Sequence, residues 1–292
     1  MLYLLHVATI AGIYCILALS FGFLAGQAGL LSLAHAAFFG IGGYIAALLS
    51  TCYGLPLGTC IVGAFVGAGV LSVLASAPSL RLSQDYLMLA TLGFQMLLSA
   101  VFINWTVVTN GPLGITQIPL PTVFGHTIAS QGGYLVVVVA TVCATVIVLG
   151  RLSDSPYGRV LRLVREDQVL AQAAGKSVAY FKVTAFCVSC GIAGVAGALY
   201  CFYVRFVDPT SFSIGDSIQI LAMAMIGGPR RRLGAIAGVI VIVSLPELLR
   251  VIGLSSAAAA NIRQIAYGAA LVLFMLLRPR GLVRDSAEEA SI

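Results

Sequence analysis

Charged side chains are scarce in this 292-residue chain: 9% of its residues are Asp, Glu, Lys or Arg, whereas 60% are hydrophobic. An ordinary soluble domain is about 25% charged. The first 80 residues contain no Lys, Arg, Asp or Glu at all. This composition excludes a water-soluble enzyme and predicts a chain that lies in a lipid bilayer.

The sequence also lacks the motifs of metal-dependent and nucleophilic catalysis. Its histidines, His6, His35 and His126, are far apart, and neither H-E-x-x-H nor G-x-S-x-G occurs. The tripeptide Gly175-Lys176-Ser177 looks like the end of a phosphate-binding P-loop, but Leu170 stands where that loop needs a glycine. We therefore expect no enzymatic activity, no metal or cofactor, and no ATP site in this chain.

Extended basic surfaces and paired cysteines are missing as well. The formal net charge is +6, but the sixteen Lys and Arg are gathered in a few short connections, which argues against a nucleic-acid partner. The seven cysteines fall mostly within apolar runs and have no paired loop spacing. We expect them to be free, buried thiols.

What the sequence has in abundance is apolar runs. A bilayer core about 30 Å thick needs roughly 20 apolar residues per helical crossing, and lipid tolerates only helices or closed barrels. Since no strand alternation is present, we predict an all-α, polytopic membrane helix bundle of about nine crossings (eight to ten), forming one domain over residues 1–292. The nine segments are Leu4 to Leu24, Leu30 to Ser50, Leu57 to Ala77, Tyr86 to Ile103, Gly133 to Gly150, Val183 to Val204, Ser217 to Gly228, Leu233 to Ile252 and Ile262 to Leu277.

The basic residues predict the orientation of this bundle. Nine crossings place the termini on opposite sides, and thirteen of the sixteen Lys and Arg fall on one side. Because cytoplasmic loops carry the excess of basic residues, we expect the loop 151–182 and the tail 278–292 in the cytoplasm and the N-terminus outside. The uncharged segment 104–131 is predicted to be an ordered external loop that begins with an interfacial tryptophan, Trp105.

Two crossings look irregular. The second contains Gly26 and Gly29 followed by Gly40, Gly42 and Gly43, and the seventh has only about twelve apolar residues before its Gly-Gly-Pro. Glycine-interrupted helices are places where a transporter breaks its backbone to line a path. Close helix packing at small residues is an equally good interpretation.

The loop 156–182 carries a second pattern. Glu166 and Asp167 can open a short helix, where negative charge is favourable, and Gly175 can end it in a left-handed conformation. A compact helix pair is one interpretation, and a solvated charged loop is the other. Its apolar residues recur at helical spacing, at Val160, Leu161, Val164, Val169 and Leu170.

Ten stretches, spread in order over nearly the whole chain, resemble one family, the LivM-like permeases of bacterial ABC importers for branched-chain amino acids. The sequence departs from that family at Arg230–Arg232, where a Gly-Thr-Leu-containing turn is more common, and at Asn110, where a Gly-Gly pair is common. The stretches that carry the resemblance are Gly26 to Tyr44, Gly111 to Ile115, Arg159 to Gln168, Ala173 to Gly175, Lys182 to Phe186, Gly194 to Tyr200, Met225 to Gly228, Leu233 to Gly238, Leu245 to Glu247 and Arg278 to Val283.

The resemblance implies a multi-pass permease subunit of the bacterial inner (cytoplasmic) membrane. Its implied partners are a second related permease subunit, two cytoplasmic ATPase subunits and a periplasmic solute-binding protein. The implied cargo is leucine, isoleucine or valine, with urea, short amides or another amino acid as alternatives. The residues expected to couple the permease to its ATPases are Arg159, Arg162, Glu166, Asp167 and Gly175, with apolar contact from Val160, Leu161 and Val164.

Polar groups inside apolar helices are the candidates for the translocation path. Hydrogen bonds between helices explain most of them equally well, and His35 fits a structural histidine. Glu247 fits an interfacial carboxylate that pairs with Arg250 at i+3 spacing. An ion-driven carrier that needs no ATPase is the alternative from another class. The candidates are Gln27, Ser32, His35, Thr91, Gln95, Gln219 and Glu247.

Overall fold

The computed structural model confirms an all-α bundle. It describes residues 2–76, 84–123, 125–228 and 232–251, together with the pair 268–269. A π-helical turn, Leu24–Ala28, follows the first helix, and two short strands, β1 (Thr122–Val123) and β2 (His126–Thr127), pair antiparallel before α6. The helices are α1 (Leu2–Phe23), α2 (His35–Tyr53), α3 (Leu57–Ser76), α4 (Gln84–Asn104), α5 (Thr106–Thr109), α6 (Gln131–Asp154), α7 (Pro156–Glu166), α8 (Gln168–Ala173), α9 (Val178–Val204), α10 (Ile214–Gly227) and α11 (Arg232–Val251).

Within the described residues, six helices are long and apolar enough to cross a membrane: α1 with its π turn, α2, α3, α4, α6 and α9. They correspond in order to the first six predicted crossings. The seventh and eighth coincide with shorter apolar helices, α10 and the Gly234–Ser244 part of α11. The ninth, apart from residues 268–269, lies outside the described residues, as does the predicted tail 278–292.

The 27-residue helix α9 lies at the centre of the bundle, between α2 and α3. A Cβ atom on Gly197 would lie 1.9 Å from the carbonyl oxygen of Phe39, and one on Gly42 would lie 2.1 Å from that of Gly194. A Cβ on Gly194 would also lie 2.6 Å from the carbonyl of Ala64 in α3. Because lipid gives helices no hydrophobic reason to associate, such close backbone contacts stabilise the bundle by packing.

Helices α10 and α11 form a second pair with close backbone contacts. A Cβ on Gly227 would lie 1.9 Å from the carbonyl oxygen of Gly234, and one on Gly238 would lie 1.9 Å from that of Met223. The predicted short seventh crossing therefore ends in a packed glycine contact. Of the three arginines that follow it, Arg230 and Arg231 lie outside the described residues.

The described part of the segment 104–131 is ordered, as predicted. It contains α5, a 3₁₀ turn at Gly111–Leu113, and the β1–β2 hairpin. Ile115 pairs with Val207 in an isolated β-bridge, and the Arg205 Nε donates to the carbonyl of Ile118 at 3.0 Å. These contacts hold the loop against the connection between α9 and α10.

All seven cysteines are free, as predicted. Four of them, Cys15, Cys60, Cys190 and Cys201, are also buried. Cys52 and Cys143 are exposed instead, because Cys52 lies at the exposed C-terminal end of α2 and Cys143 lies on the exposed face of α6.

We predict that Gly197→Ala destabilises the bundle, since the added methyl group would force α9 away from Phe39. Overpacking of this kind costs about 1–3 kcal/mol. Gly132→Ala is the matched control, because a Cβ there meets no atom within 4 Å. Thermal unfolding of both variants in lipid nanodiscs checks this: equal midpoints would show that the two helices do not approach as closely as described.

Candidate functional site

The site begins at a break in the membrane helices between α1 and α2. The π turn ends at Gly29, whose φ of 68° is left-handed, and the Leu30 N–H donates back to the Leu24 carbonyl at 3.3 Å. Residues 30–34 are not helical, and α2 starts at His35. The predicted irregularity of the second crossing therefore lies here. The three later glycines, Gly40, Gly42 and Gly43, are within regular helix and serve packing.

The N-terminus of α2 lies inside the protein, and side chains from other helices accept its hydrogen bonds. The first N–H groups of any helix lack partners within that helix. Here the Ala37 N–H donates to the Gln95 Oε1 at 2.8 Å, and the Ala36 N–H donates to the Ser217 Oγ at 3.1 Å. Just before the helix, the Leu33 N–H donates to the Thr91 Oγ1 at 3.0 Å. We call Ser32, Thr91, Gln95 and Ser217 the polar node.

Gln95 is the centre of the polar node. Its Oε1 also accepts from the Ser217 hydroxyl at 3.3 Å, and its Nε2 donates to the carbonyl of Phe212 at 2.8 Å. One fully buried amide thereby joins α2, α4, α10 and the 3₁₀ turn Pro209–Phe212. Ser32 completes the node by accepting from the Ala34 N–H at 3.2 Å.

His35, the first residue of α2, is fully buried beside the polar node. Its Nε2 lies 3.1 Å from the Ser189 Oγ, and the Ser189 hydroxyl donates its proton to the Ser20 carbonyl at 2.7 Å. Since that proton is already used, Ser189 accepts from His35, so the imidazole carries its proton on Nε2. The Nδ1 is then an acceptor, and it has no hydrogen-bond partner among the described residues.

The structure thus brings together four of the seven candidate path residues: Ser32, His35, Thr91 and Gln95. Gln219 is half-buried on α10, outside the node. Glu247 belongs to α11, but its side chain lies outside the described residues.

Gln27 lies at a different place from the polar node. Its Oε1 accepts from the Arg162 Nη1 at 3.0 Å, so it contacts the loop between α6 and α9. Gln27 was expected to line the path because the sequence does not distinguish a glutamine buried between membrane helices from one that faces a loop.

Two members of this site were missed, Ser189 and Ser217. Serines inside apolar helices are common, and most bond to their own helix, as the Ser72 hydroxyl does with the Gly69 carbonyl. Their spacing in the sequence carried no signal that would single them out.

The loop between α6 and α9 folds as the predicted helix pair. The Asp167 Oδ1 accepts from the N–H groups of Val169 at 2.8 Å and Leu170 at 3.0 Å, which caps α8. Gly175 has a φ of 72°, and the next N–H, of Lys176, donates to the Ala171 carbonyl at 3.0 Å, which ends the helix. The predicted roles of Asp167 and Gly175 as helix caps are confirmed.

The apolar face of α7 points inward. Leu161 is 0% exposed and Val164 is 1% exposed, and half-buried Val160 packs on the small core that includes Val164. Leu161 and Val164 are therefore not available for the predicted contact with a partner, because both already pack within this chain, whereas half-buried Val160 stays a candidate.

The exposed apolar residues of the loop are instead Val169 and Leu170 on α8, at 75% and 55% exposure. Arg159 and Glu166 of α7 are exposed as well. We call these four residues the outer face of the loop.

No group of three or more His, Cys, Asp or Glu side chains within the described ranges is arranged to hold a metal ion. The described residues instead form the polar node at the start of α2 and the exposed helix pair α7–α8.

Comparisons with known proteins place these features in context. The sequence profile of one family, described as "Branched-chain amino acid transport system / permease component", matches residues 3–277. The permease protein LivM of the high-affinity branched-chain amino acid transport system of Escherichia coli is 34% identical over 300 residues, covering 95% of this chain and 69% of the relative. In Methanocaldococcus jannaschii, a probable LivM is 24% identical over 77% of this chain and 68% of the relative, and a probable LivH is 29% identical over 81% and 76%.

We predict that Gln95→Leu destabilises the protein, because it leaves the Ala37 N–H and the Phe212 carbonyl buried without these partners. Each unsatisfied group costs about 1–3 kcal/mol. Gln219→Leu makes the same change outside the node and should have little effect. The thermal midpoints of the two variants in nanodiscs provide the test, and a Gln95→Leu midpoint equal to that of Gln219→Leu would contradict the role assigned to the node.

Proposed function

Because the chain belongs to the family of permease components of branched-chain amino acid transport systems, we propose that it is the membrane-spanning permease subunit of an ABC importer. Its cargo is leucine, isoleucine and valine, carried across the bacterial inner membrane. The match over residues 3–277 and the 34% identity to the E. coli LivM permease support this assignment.

The observation that carries the proposal is the helix pair between α6 and α9. Its outer face combines charged and apolar side chains, while its inner face is buried within this chain, with Val164 and Ala171 in one small cluster. A helix pair built in this way can sit in a groove of another protein and pass that protein's movement to two membrane-crossing helices. We propose that the groove belongs to a cytoplasmic ATPase subunit, and that Arg159, Glu166, Val169 and Leu170 contact it.

The structure explains the glycine and the serine of Gly175-Lys176-Ser177 as helix-end residues rather than as part of a P-loop. This supports the proposal that other subunits bind and hydrolyse ATP. Gly175 ends α8, and Ser177 begins α9, where its hydroxyl accepts from the Tyr180 N–H at 3.4 Å. A phosphate-binding P-loop follows a strand, whereas Gly175-Lys176-Ser177 lies between two helices. This position supports our proposal that the energy for transport comes from separate ATPase subunits.

A second, related permease subunit completes the membrane part of the proposed importer. M. jannaschii has a probable LivM and a probable LivH, and this chain is similar to both. We propose that an exported solute-binding protein delivers the cargo at the ordered segment 104–131.

The proposed orientation places the helix pair in the cytoplasm and the segment 104–131 outside. Basic residues are concentrated in the loop 151–182, as expected for the cytoplasmic side. Gln27, in the π turn that follows α1, contacts this loop, whereas Val207, in the connection that follows α9, contacts Ile115 of the segment 104–131. These contacts support opposite locations for the two connections.

We propose that Ser32, Thr91 and Gln95 line the translocation path after a conformational change. Ser32, Thr91 and Gln95 all engage the start of α2, so a solute reaches them only when those hydrogen bonds open. The closed polar node is then a conformation in which this route is shut.

Reconstitution of the chain with its three kinds of partner tests the proposed function. We expect ATP-dependent uptake of labelled leucine, isoleucine and valine into vesicles, and no uptake of labelled urea. Urea uptake instead would reassign the cargo. Uptake by the chain alone under a proton or sodium gradient would identify an ion-driven carrier and contradict the proposal.

We further predict that Val169→Asp and Glu166→Arg release the ATPase subunits, because both change the outer face of the loop. Loss of ATPase co-purification, together with loss of uptake, is the expected result. Val107→Asp is the matched control, since Val107 is 92% exposed on α5 in the segment 104–131 and should leave the ATPase subunits bound. If both loop variants retain the ATPases, another surface contacts them.

A further inference from the structure

We infer that Arg162 and Arg165 of α7 transmit the movement of the loop to the broken segment between α1 and α2, and so to the polar node. We call these two residues the arginine clamp. The inference rests on the proposed function and adds the route by which coupling proceeds within this chain.

Arg165 holds the C-terminal end of the first membrane helix. Its Nη1 donates to the carbonyl of Gly26, in the last turn before the break. A cation bonded to the last carbonyls of a helix is favourable, because those carbonyls lack partners and form the negative end of the helix dipole. Since the side chain is only 18% exposed, this contact is shielded from water.

The backbone of the break is shaped to receive Arg165. A Cβ atom on Gly29 would lie 2.4 Å from the Arg165 Cγ, and the φ of 68° at Gly29 is one that glycine adopts without strain. Glycine is therefore required at this position both by the backbone conformation and by the arginine that packs on it.

Arg162 adds a second connection from the same helix. Its Nη1 donates to the Gln27 Oε1 at 3.0 Å and to the Ser153 carbonyl at 3.1 Å, which joins the break to the end of α6. The helix α7 is also fixed to α9, because the Tyr157 hydroxyl lies 2.7 Å from the Thr184 Oγ1. A displacement of α7 must therefore move the break or rupture these contacts.

Only five residues, 30–34, separate Gly29 from α2. A chain segment of that length spans at most about 18 Å when fully extended, which sets an upper limit on the displacement that it can absorb. Two of its N–H groups are already bonded, that of Leu33 to Thr91 and that of Ala34 to Ser32. Movement of Gly29 is thus passed to the hydrogen bonds that Gln95 and Ser217 make with the start of α2.

The complete transport complex tests this inference through the number of solute molecules imported per ATP hydrolysed. We expect Arg165→Gln and the double variant with Arg162→Gln to keep their ATPase subunits but to lower this ratio about tenfold, within the range typical of coupling between sites. Arg165→Lys, which keeps the charge, should restore part of it. Arg151→Gln is the matched control, because Arg151 is exposed at the end of α6.

A merely structural role would reduce the amount of assembled complex and leave the ratio unchanged. An unchanged ratio in both clamp variants, with wild-type complexes that import solute, would overturn the clamp and leave the proposed function intact. Absence of import by the wild-type complex would instead overturn the proposed function.

Amide hydrogen exchange on the full chain in nanodiscs tests the clamp without reference to cargo. We expect Arg165→Gln to increase exchange at residues 29–37, including the N–H groups bonded to the polar node. Faster exchange confined to α7 and α8, or no change in 29–37, would show that the clamp does not reach α2.

Discussion

The constraint on which this structure depends is that backbone N–H groups inside a bilayer need partners from the protein itself. A continuous helix meets this requirement alone, but this chain interrupts its helices at residues 29–34. Three N–H groups at the interruption, those of Leu33, Ala36 and Ala37, are bonded by side chains of two other helices, namely Thr91, Ser217 and Gln95. The break is therefore stable only where α2, α4 and α10 meet. The same hydrogen bonds hold these three helices together.

Helix α2 is held in two physically different ways. Along its middle it contacts α9 through glycines, where any added side chain would collide with backbone, so this contact is rigid. At its start it is held by individual hydrogen bonds to neutral side chains, each contributing about 1 kcal/mol net. A force applied to α2 acts first on the weaker end. A membrane helix built in this way can change at its N-terminus while the bundle around α9 stays intact.

Sequence reasoning succeeded where structure is local and failed where it depends on distant contacts. The helix caps at Asp167 and Gly175 were predictable because each acts within a few residues. Ser32, Thr91 and Gln95 of the polar node were candidates from the sequence, but Ser217 and the contacts of the node were not predictable, since the Ser217 hydroxyl that accepts from Ala36 is 181 positions away. The spacing of apolar residues in α7 correctly predicted a helix. That spacing does not show whether the apolar face packs on the same chain or on a partner. Burial of Leu161 decided that question.

The spacing of three arginines explains how one helix serves two surfaces. Arg159, Arg162 and Arg165 are three residues apart, and an α-helix has about 3.6 residues per turn, so each is rotated by about 60° from the one before. Along α7 the side chains accordingly pass from exposed Arg159, through half-buried Arg162, to Arg165 against the break. With this spacing, Arg159 lies on the outer face of the loop and Arg165 lies against Gly26. Because one continuous helix joins Arg159 to Arg165, no hinge lies between the α7 part of the outer face and the contact with Gly26.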